Sequence, residues 1–378
     1  MIRSYKIRLL PTKEQEQKFL QHAGCARFIW NWALNYQLED YKNGNKKVSA
    51  YSTIKLLTSL KKQQDYIWLN DVSVNTLQTV ILDLEKAYKR FFTKENKFPK
   101  FKSKKNSVLN FPVRSDRFYF KRDVVQIQKV GKVKFQTNYN IPIAKYINPR
   151  IKCVNNKWIL TFSVEYENQV RNLSENLMGI DLGVKNLVTV AFGDECFVFH
   201  NINKSEKMKK LDKKVKHLQR NASRKYRTNG NYEKTNNIIK LEAQIKELYY
   251  HISCIRKNYI HQTTHKLIEL LPKRIVMEDL NVNGMMKNRH LARVIQEQCF
   301  YEFERQMKYK CEWNGIEFIQ ASRFFPSSKA CSCCGQIKKD LKLSDRVYKC
   351  DCGNVMDRDY NAAINLMRYV DQLEMATA

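Results

Sequence analysis

No stretch of this 378-residue sequence is apolar for long enough to span a bilayer, which argues against a membrane-crossing helix. It has no P-loop and no Gly-rich dinucleotide fingerprint, so chemistry built on those motifs has no support. No tandem repeat is evident. Met1 to Leu10 alternates basic and apolar residues, which reads as a strand and not as a secretory signal. The expected compartment is therefore reducing and cytoplasmic. Acidic residues are scarce: 37 Asp and Glu stand against 68 Lys and Arg, for a formal net charge of +31. A folded chain with that excess repels itself unless a polyanion neutralises it. Nucleic acid is the expected partner, because Lys and Arg on phosphates release counterions and dominate affinity. Solubility alone does not need so one-sided a surface. Lys far outnumbers Arg, and Asn and Ile are common, which hints at an AT-rich bacterial genome.

With 43% hydrophobic and 12% aromatic residues, the chain is expected to fold around a sizeable core. Ile2 to Leu10 reads as a strand ended by Pro11, and Thr12 with Gln15 makes a capping box for a helix running to Tyr41. Trp30 and Trp32 are core positions by spacing, with base stacking as the alternative. A second helix is predicted over Val74 to Phe92, with Leu77, Ile81, Leu84 and Tyr88 on one face. Basic KFPKFKSKK (Lys97 to Lys105) reads as a linker or a backbone-contacting loop. Short alternating runs then fill Asn106 to Glu167 as strands. Met178 to Gly193 reads as strand, tight turn and strand. A basic helical hairpin follows, seamed by Ile238, Leu241, Ile245, Leu248, Ile252, Ile255 and Tyr259 and broken at Arg227 to Asn231. One helix is predicted from Ala292 to Trp313, then a strand (IEFIQAS), a Cys-rich knot and a helix opened by DRDYNAAINLMRYV.

Three carboxylates stand apart from ordinary surface acids. Asp181 lies between Ile180 and Leu182, Glu278 ends the apolar run Ile275–Val276–Met277, and Asp359 opens an amphipathic helix. A carboxylate in an apolar strand is unfavourable unless it is hydrogen-bonded or holds a cation. Three of them gathered at strand ends would make an oxygen-only site for Mg²⁺. Two such ions would activate an attacking water and stabilise the leaving 3′ oxygen of a phosphodiester. Each has an ordinary alternative. Asp181 can cap the turn before Gly183, Asp279 is as eligible as Glu278 because strand neighbours face opposite sides, and Asp357 is as eligible as Asp359.

Cys331–Ser–Cys333–Cys334–Gly335 and Cys350–Asp–Cys352–Gly353 read as the two knuckles of a zinc ribbon. Cys331 and Cys334 have the CxxC spacing; Cys350 and Cys352 are closer than usual, and Cys333 is spare. Four thiolates leave no open position, so the zinc would be structural. The remaining cysteines are scattered and read as packing residues.

Taken in order, GIDLGVKN, VMEDLNV, FFPSSKACSCCG, YKCDCGN and DRDYNAAINL resemble the TnpB family, transposon-encoded relatives of type V CRISPR nucleases. LLPTKEQEQKFLQHAGCARFIWNWAL, WLNDVSVNTLQ and FPKFKSKK also look like family segments, so the resemblance covers nearly the whole chain. It implies an α+β multidomain protein with an RNase H-like (RuvC) nuclease core at 176–325 and 353–378. That core carries the long hairpin (204–271) and an inserted zinc ribbon (326–352). A wedge-like β-barrel is implied at 1–11 and 105–175, with a helical recognition domain (12–104) inserted in it. Residue by residue, Asp181, Glu278 and Asp359 fall on the family's catalytic ligands for two Mg²⁺ or Mn²⁺ ions, and Cys331, Cys334, Cys350 and Cys352 on its ligands for one Zn²⁺. Tyr51, Asn75 and Gln78 are candidates for reading the target-adjacent motif. The Cys350–Cys352 spacing departs from the family's CxxC, and the tail after Arg368 is short. The implied function is RNA-guided cleavage of double-stranded DNA next to a short motif, by hydrolysis leaving a 5′ phosphate. The partners would be a guide RNA and target DNA and no membrane, in a monomeric, nucleoid-associated ribonucleoprotein. A cleavage-inactive RNA-guided regulator and a transposase acting directly on DNA are the alternatives.

Overall fold

The alternation in the first ten residues does what period-two patterning dictates: Ile7 and Leu9 are buried and their neighbours exposed along β1 (Ile2–Leu10). The computed structural model describes residues 1–44, 49–115, 118–167, 171–228, 230, 234–342 and 345–371. Part of the hairpin break, and the tail beyond residue 371, lie outside the described residues. The chain divides into two units, Met1–Glu167 and Asn168–Ala378.

In the first unit Thr12 closes the capping box with Gln15 and starts α1 (Lys13–Lys42). α2 (Ala50–Leu60) and α3 (Val74–Phe92) follow, and the α3 face Leu77, Ile81, Leu84 and Tyr88 is buried. The sequence reading did not single out α2. Six strands follow: β2 (Asn110–Pro112), β3 (Tyr119–Lys121), β4 (Val124–Ile127), β5 (Gly131–Gln136), β6 (Tyr146–Val154) and β7 (Lys157–Glu165). They join β1 in a sheet ordered β2-β6-β7-β1-β5-β4-β3, with every pairing antiparallel. Thus β1 pairs with strands that follow it by more than 100 residues, and α1 to α3 are inserted between partners of one sheet. Phe19 of α1 bridges to the sheet, 5.0 Å from the Trp158 ring and 5.7 Å from that of Phe111.

The second unit is built on β8 (Leu177–Leu182), β9 (Asn186–Phe192) and β10 (Glu195–His200), an antiparallel meander. α4 (Glu206–Thr228) and α5 (Asn236–Glu269) form the hairpin; Gln219 reaches Tyr249 and Tyr226 reaches Glu242, as an antiparallel pair requires. β11 (Arg274–Glu278) then pairs parallel to β8. After α6 (Val282–Met285), α7 (Ala292–Gln298) and α8 (Phe300–Asn314), β12 (Glu317–Ala321) pairs parallel to β11. The sheet order is β10-β9-β8-β11-β12. The single helix predicted over Ala292 to Trp313 is in fact two. Cys299 adopts φ 56° and ψ 40°, a left-handed conformation that ends α7 and turns the chain into α8. The chain closes with β13 (Val347–Lys349), β14 (Val355–Asp357) and α9 (Arg358–Met367).

The two faces of this sheet differ. Met178, Ile180, Ile275 and Met277 join the core formed with Ile260, Leu267, Phe303 and Met307 of α5 and α8. On the other face lies α9, with Ala363 and Met367 against Ala191, and Leu366 against Val276. Gly179 makes that approach possible: a Cβ there would stand 1.9 Å from the Ala363 carbonyl oxygen. Among the described residues no helix is long and apolar enough to cross a membrane.

Candidate functional site

Strand parity and helix period bring the three carboxylates together. Residues 177, 179 and 181 of β8 point to one face, the α9 face marked by Gly179; in β11, Val276 and Glu278 share it. β8 and β11 are in register at Met277 and Ile180, so the next step sets Glu278 beside Asp181. On α9, Asp359 stands one and two turns before Ala363 and Met367, the residues seated on the sheet.

Asp181 and Glu278 are hydrogen-bonded to each other. Desolvation drives the Asp181 carboxyl well above its usual range, and the charges of Glu278 and Asp359 push the same way, while Arg358 opposes them. Asp181 keeps some solvent-exposed surface, yet is surrounded closely enough that burial dominates. Glu278 is raised too, by burial first and then by Asp359, against the lowering effect of its bond to Asp181. Two adjacent carboxyls cannot both carry a full charge in so poorly solvated a place, so they share a proton or require a cation. The Arg358 guanidinium lies 3.4 Å from an Asp359 oxygen, and both side chains are largely buried.

Each alternative acid has other work. Asp279 faces away and pairs with Arg323 at 2.6 Å. Asp357 is the N-cap of α9, accepting from the backbone N–H groups of Asp359 and Tyr360. Glu278 and Asp359 are thereby the members that face Asp181. The donor set, three carboxylates at the end of an apolar sheet, fits hard divalent cations.

The Cys331, Cys334, Cys350 and Cys352 sulfurs all lie within 4.8 Å of one another, and among the described residues they are the one group of three or more such ligands that tight. The carboxylate trio is wider. Cys331 to Cys352 and Cys334 to Cys350 are each 3.6 Å. A tetrahedron with Zn–S near 2.3 Å has S···S edges of roughly 3.8 Å, so these two edges are close to those of a zinc site and the four-thiol group fits that metal. The short Cys350–Cys352 spacing does not keep either thiol from the cluster, and Cys333 points out to solvent. Burial raises the Cys331 thiol, but the backbone N–H groups of Cys334 and Cys333, the Asn354 amide and Cys352 outweigh it and bring it to about 6.

Two residues that the sequence reading passed over link this knuckle to α9. Asn361, fully buried, donates to the Ala330 carbonyl at 2.7 Å and accepts from the Ser332 N–H at 2.9 Å. Asn365, also fully buried, donates to the Ser327 and Ala330 carbonyls. Their signal was present: two amides four apart on the apolar side of DRDYNAAINL.

In the first unit Tyr51 is 73% exposed in the first turn of α2, and Asn75 and Gln78 are half-buried one turn apart on α3. Trp30 and Trp32 are half-buried against the core. The Trp30 indole donates to the Lys100 carbonyl at 3.0 Å and the Lys102 ammonium lies 3.5 Å from its ring centre, so this ring is already used within the fold.

Three family models match the chain: a helix-turn-helix domain (OrfB_IS605) over residues 1–46, OrfB_IS605, described as "Probable transposase", over 161–289, and a Cas12f1-like TNB domain over 300–366. A Streptomyces pristinaespiralis protein bearing the name RNA-guided DNA endonuclease is 28% identical over 97% of this chain and 88% of its own length. An Escherichia coli K12 protein of the same description, InsQ, is 29% identical over 97% of this chain and 92% of its own. A solved Cas12f1–sgRNA–target DNA complex matches with TM-score 0.55 and 13% identity, covering 97% of this chain and 98% of that one; at that identity the likeness concerns the mixed α/β fold alone.

Proposed function

We infer that this chain, which belongs to the TnpB family, is an RNA-guided DNA endonuclease. The observation that carries the reading is the meeting of Asp181, Glu278 and Asp359 at the C-terminal ends of two inner strands of the second unit's sheet, in a chain with a net charge of +31. A buried, mutually repelling acid cluster has no use in a protein that only binds polyanions; it suits one that cuts them.

The antiparallel meander followed by two parallel strands supports an RNase H-like, RuvC-type core. The seven-stranded sheet interrupted by α1 to α3 supports a wedge-like domain with inserted recognition helices. In this reading Tyr51, Asn75 and Gln78 read the target-adjacent motif. Base pairing with a guide RNA supplies the rest of the sequence choice, and backbone contacts hold the duplex.

Asp181, Glu278 and Asp359 would hold Mg²⁺ or Mn²⁺, two ions in the family's manner. The ions would neutralise charge on the scissile phosphodiester and favour attack by water. The chain's own part is to fix these carboxylates on rigid elements. The strand register holds Asp181 against Glu278, and the Asp357 cap holds the first turn of α9. Arg358 tempers the negative charge beside Asp359. Cys331, Cys334, Cys350 and Cys352 would hold one structural zinc ion, and Asn361 and Asn365 tie that knuckle to the helix bearing Asp359.

The test is to express the chain with its flanking genomic DNA and sequence the RNA that copurifies. The purified complex is then challenged with duplex DNA matching that RNA, with Mg²⁺ present or chelated. One dominant RNA and Mg²⁺-dependent cutting only of the matching duplex are expected. The description of the 161–289 model as a transposase favours a second reading, direct strand joining. Strand transfer without RNA would establish it in place of guided cutting.

A further inference from the structure

The first unit contains a small pocket that the nuclease reading does not use. It lies between α1, α3 and the basic loop that follows α3, and is walled by Arg27, Trp30, Asp83, Lys102, Asn110 and Arg150. We propose that this pocket binds one phosphate of a nucleic-acid backbone, with Arg27, Lys102 and Arg150 as its cationic walls. The proposal rests on the nucleic-acid-binding part of the function above and assigns a site to it.

Three cations share the pocket with one acid. Arg150 donates from Nη2 to both oxygens of Asp83, at 2.7 and 2.8 Å, which neutralises that carboxylate. Arg27 has no ion pair among the described residues, and Lys102 has none either; its ammonium rests on the Trp30 ring at 3.5 Å. A lysine on a surface loop normally extends its head into water. This one is turned inward and held there. Its carbonyl accepts from the Asn31 amide at 2.9 Å, its N–H donates to the Asn31 oxygen at 2.8 Å, and the Lys100 carbonyl is bound by Trp30. Burial pulls the Lys102 ammonium down to about 8, with Asp83 opposing the shift and Arg150 adding to it. The positive charge is thus held in an unfavourable place, and a bound anion would relieve it.

Size selects the ligand class. The pocket volume is about 50 Å³. That is room for roughly three or four water-sized atoms, enough for the edge of a phosphodiester and too little for a base or a sugar. A pocket rich in cations and of that size reads backbone and not sequence.

The test uses the full chain, carrying Lys102→Met or Arg27→Gln, with Lys102→Arg as the charge-conserving control. Affinity is measured across a salt series, first for the copurifying RNA, transcribed in vitro, and then for matching duplex DNA on the RNA-loaded complex. Loss of one phosphate contact should lower the slope of log affinity against log salt by about 0.7 for single-stranded RNA or about 0.9 for duplex. Lys102→Arg should keep the slope. A change in the RNA series places a guide phosphate in the pocket, and a change in the duplex series places a target phosphate there; either supports the proposal. Unchanged slopes in both, with normal wild-type binding, would overturn the pocket alone and leave Lys102 a packing residue. Wild-type protein without salt-dependent binding to either would overturn the pocket and the proposed function together. The Arg27→Gln variant carries the test should Lys102→Met fail to fold.

Discussion

Asp181 meets Glu278 and not Asp279 because β-strands alternate, and the same period sends Asp279 to Arg323. The sequence displayed the three acidic motifs, but choosing within each pair needed one more fact: which face of the sheet α9 covers. That fact is long-range, and it sits in Gly179, a residue with no side chain to announce it. Arg358 was hidden for a similar reason, since its place beside Asp181 exists only once helix and strand have met. Replacing Asp181 with Ala should reduce guided cleavage by at least about 10³-fold while leaving RNA and target affinity within a few-fold. Cleavage assays and binding titrations on the same preparation check this, and lost binding would make Asp181 a structural residue. Lys310 offers a residue-scale pH test away from the acids. It is half-buried on α8, donating to the Thr264 hydroxyl and the His261 carbonyl, and desolvation lowers it to about 8. The unfolded chain holds that proton up to about 10.5, so between the two values the unfolded state binds more protons. The destabilisation is therefore full below pH 8 and fades as pH rises toward 10.5. Lys310→Met should stabilise the protein near pH 7 by roughly 1 to 2 kcal/mol, discounted for partial exposure. Melting curves of the two proteins should converge as the pH passes 9; a gap that does not vary with pH would sink the account.

Among the elements, those with strong local signals were legible: the Thr12 capping box, the α3 stripe, the alternating strands and the Cys knuckles. The break at Cys299 was not. Ile295, Phe303 and Met307 keep helical spacing through it, and no Gly or Pro marks a residue that turns left-handed only to fit two helices against the core. The most consequential element is α9, which carries Asp359 and the zinc knuckle's anchor Asn361 on its first turn and the second anchor, Asn365, on the next. Gly179→Ala would place a methyl 1.9 Å from the Ala363 carbonyl and 2.4 Å from the Met367 nitrogen, both backbone atoms that cannot rotate aside. The helix must shift, at a cost of about 1–3 kcal/mol or more. The expected result is a melting temperature lower by several degrees, and cleavage lost out of proportion to stability because Asp359 moves with the helix. Cleavage unchanged in a folded Gly179→Ala protein would show that α9 tolerates displacement. The anchors give a converse test. Cys331→Ser should reduce bound zinc, read by metal analysis, and slow cleavage through Ser327, Ala330 and Ser332, the backbone groups held by Asn361 and Asn365. Full zinc content in that variant would remove Cys331 from the ligand set.

At the scale of the whole molecule the charge balance was readable from composition, but its distribution was not. The excess is concentrated, and α4 shows how: Lys209, Lys213, Lys216, Arg220, Arg224 and Arg227 recur every three or four residues, all exposed, and only Glu206 and Asp212 in that helix are acidic. At 1.5 Å per residue this is a track of about 27 Å along one helix. Cations held that close repel one another in the bare protein, and both salt and polyanions should relieve the strain, though by different amounts. Simple salt screens beyond a Debye length of about 8–10 Å, longer than the spacing along the track, so neighbouring charges are only partly relieved. Bound RNA neutralises them directly and adds mass-action stabilisation, about 2.7 kcal/mol when its concentration is 100-fold above Kd. Raising salt should therefore lift the melting temperature of the RNA-free chain modestly, and RNA should lift it much further at low salt. The RNA increment should then shrink as salt rises, because the same counterions compete for both effects. With two units the melt need not be two-state, so each transition is followed separately and not converted to a single free energy. An RNA increment that is independent of salt would mean that the basic surface is not where the RNA lies.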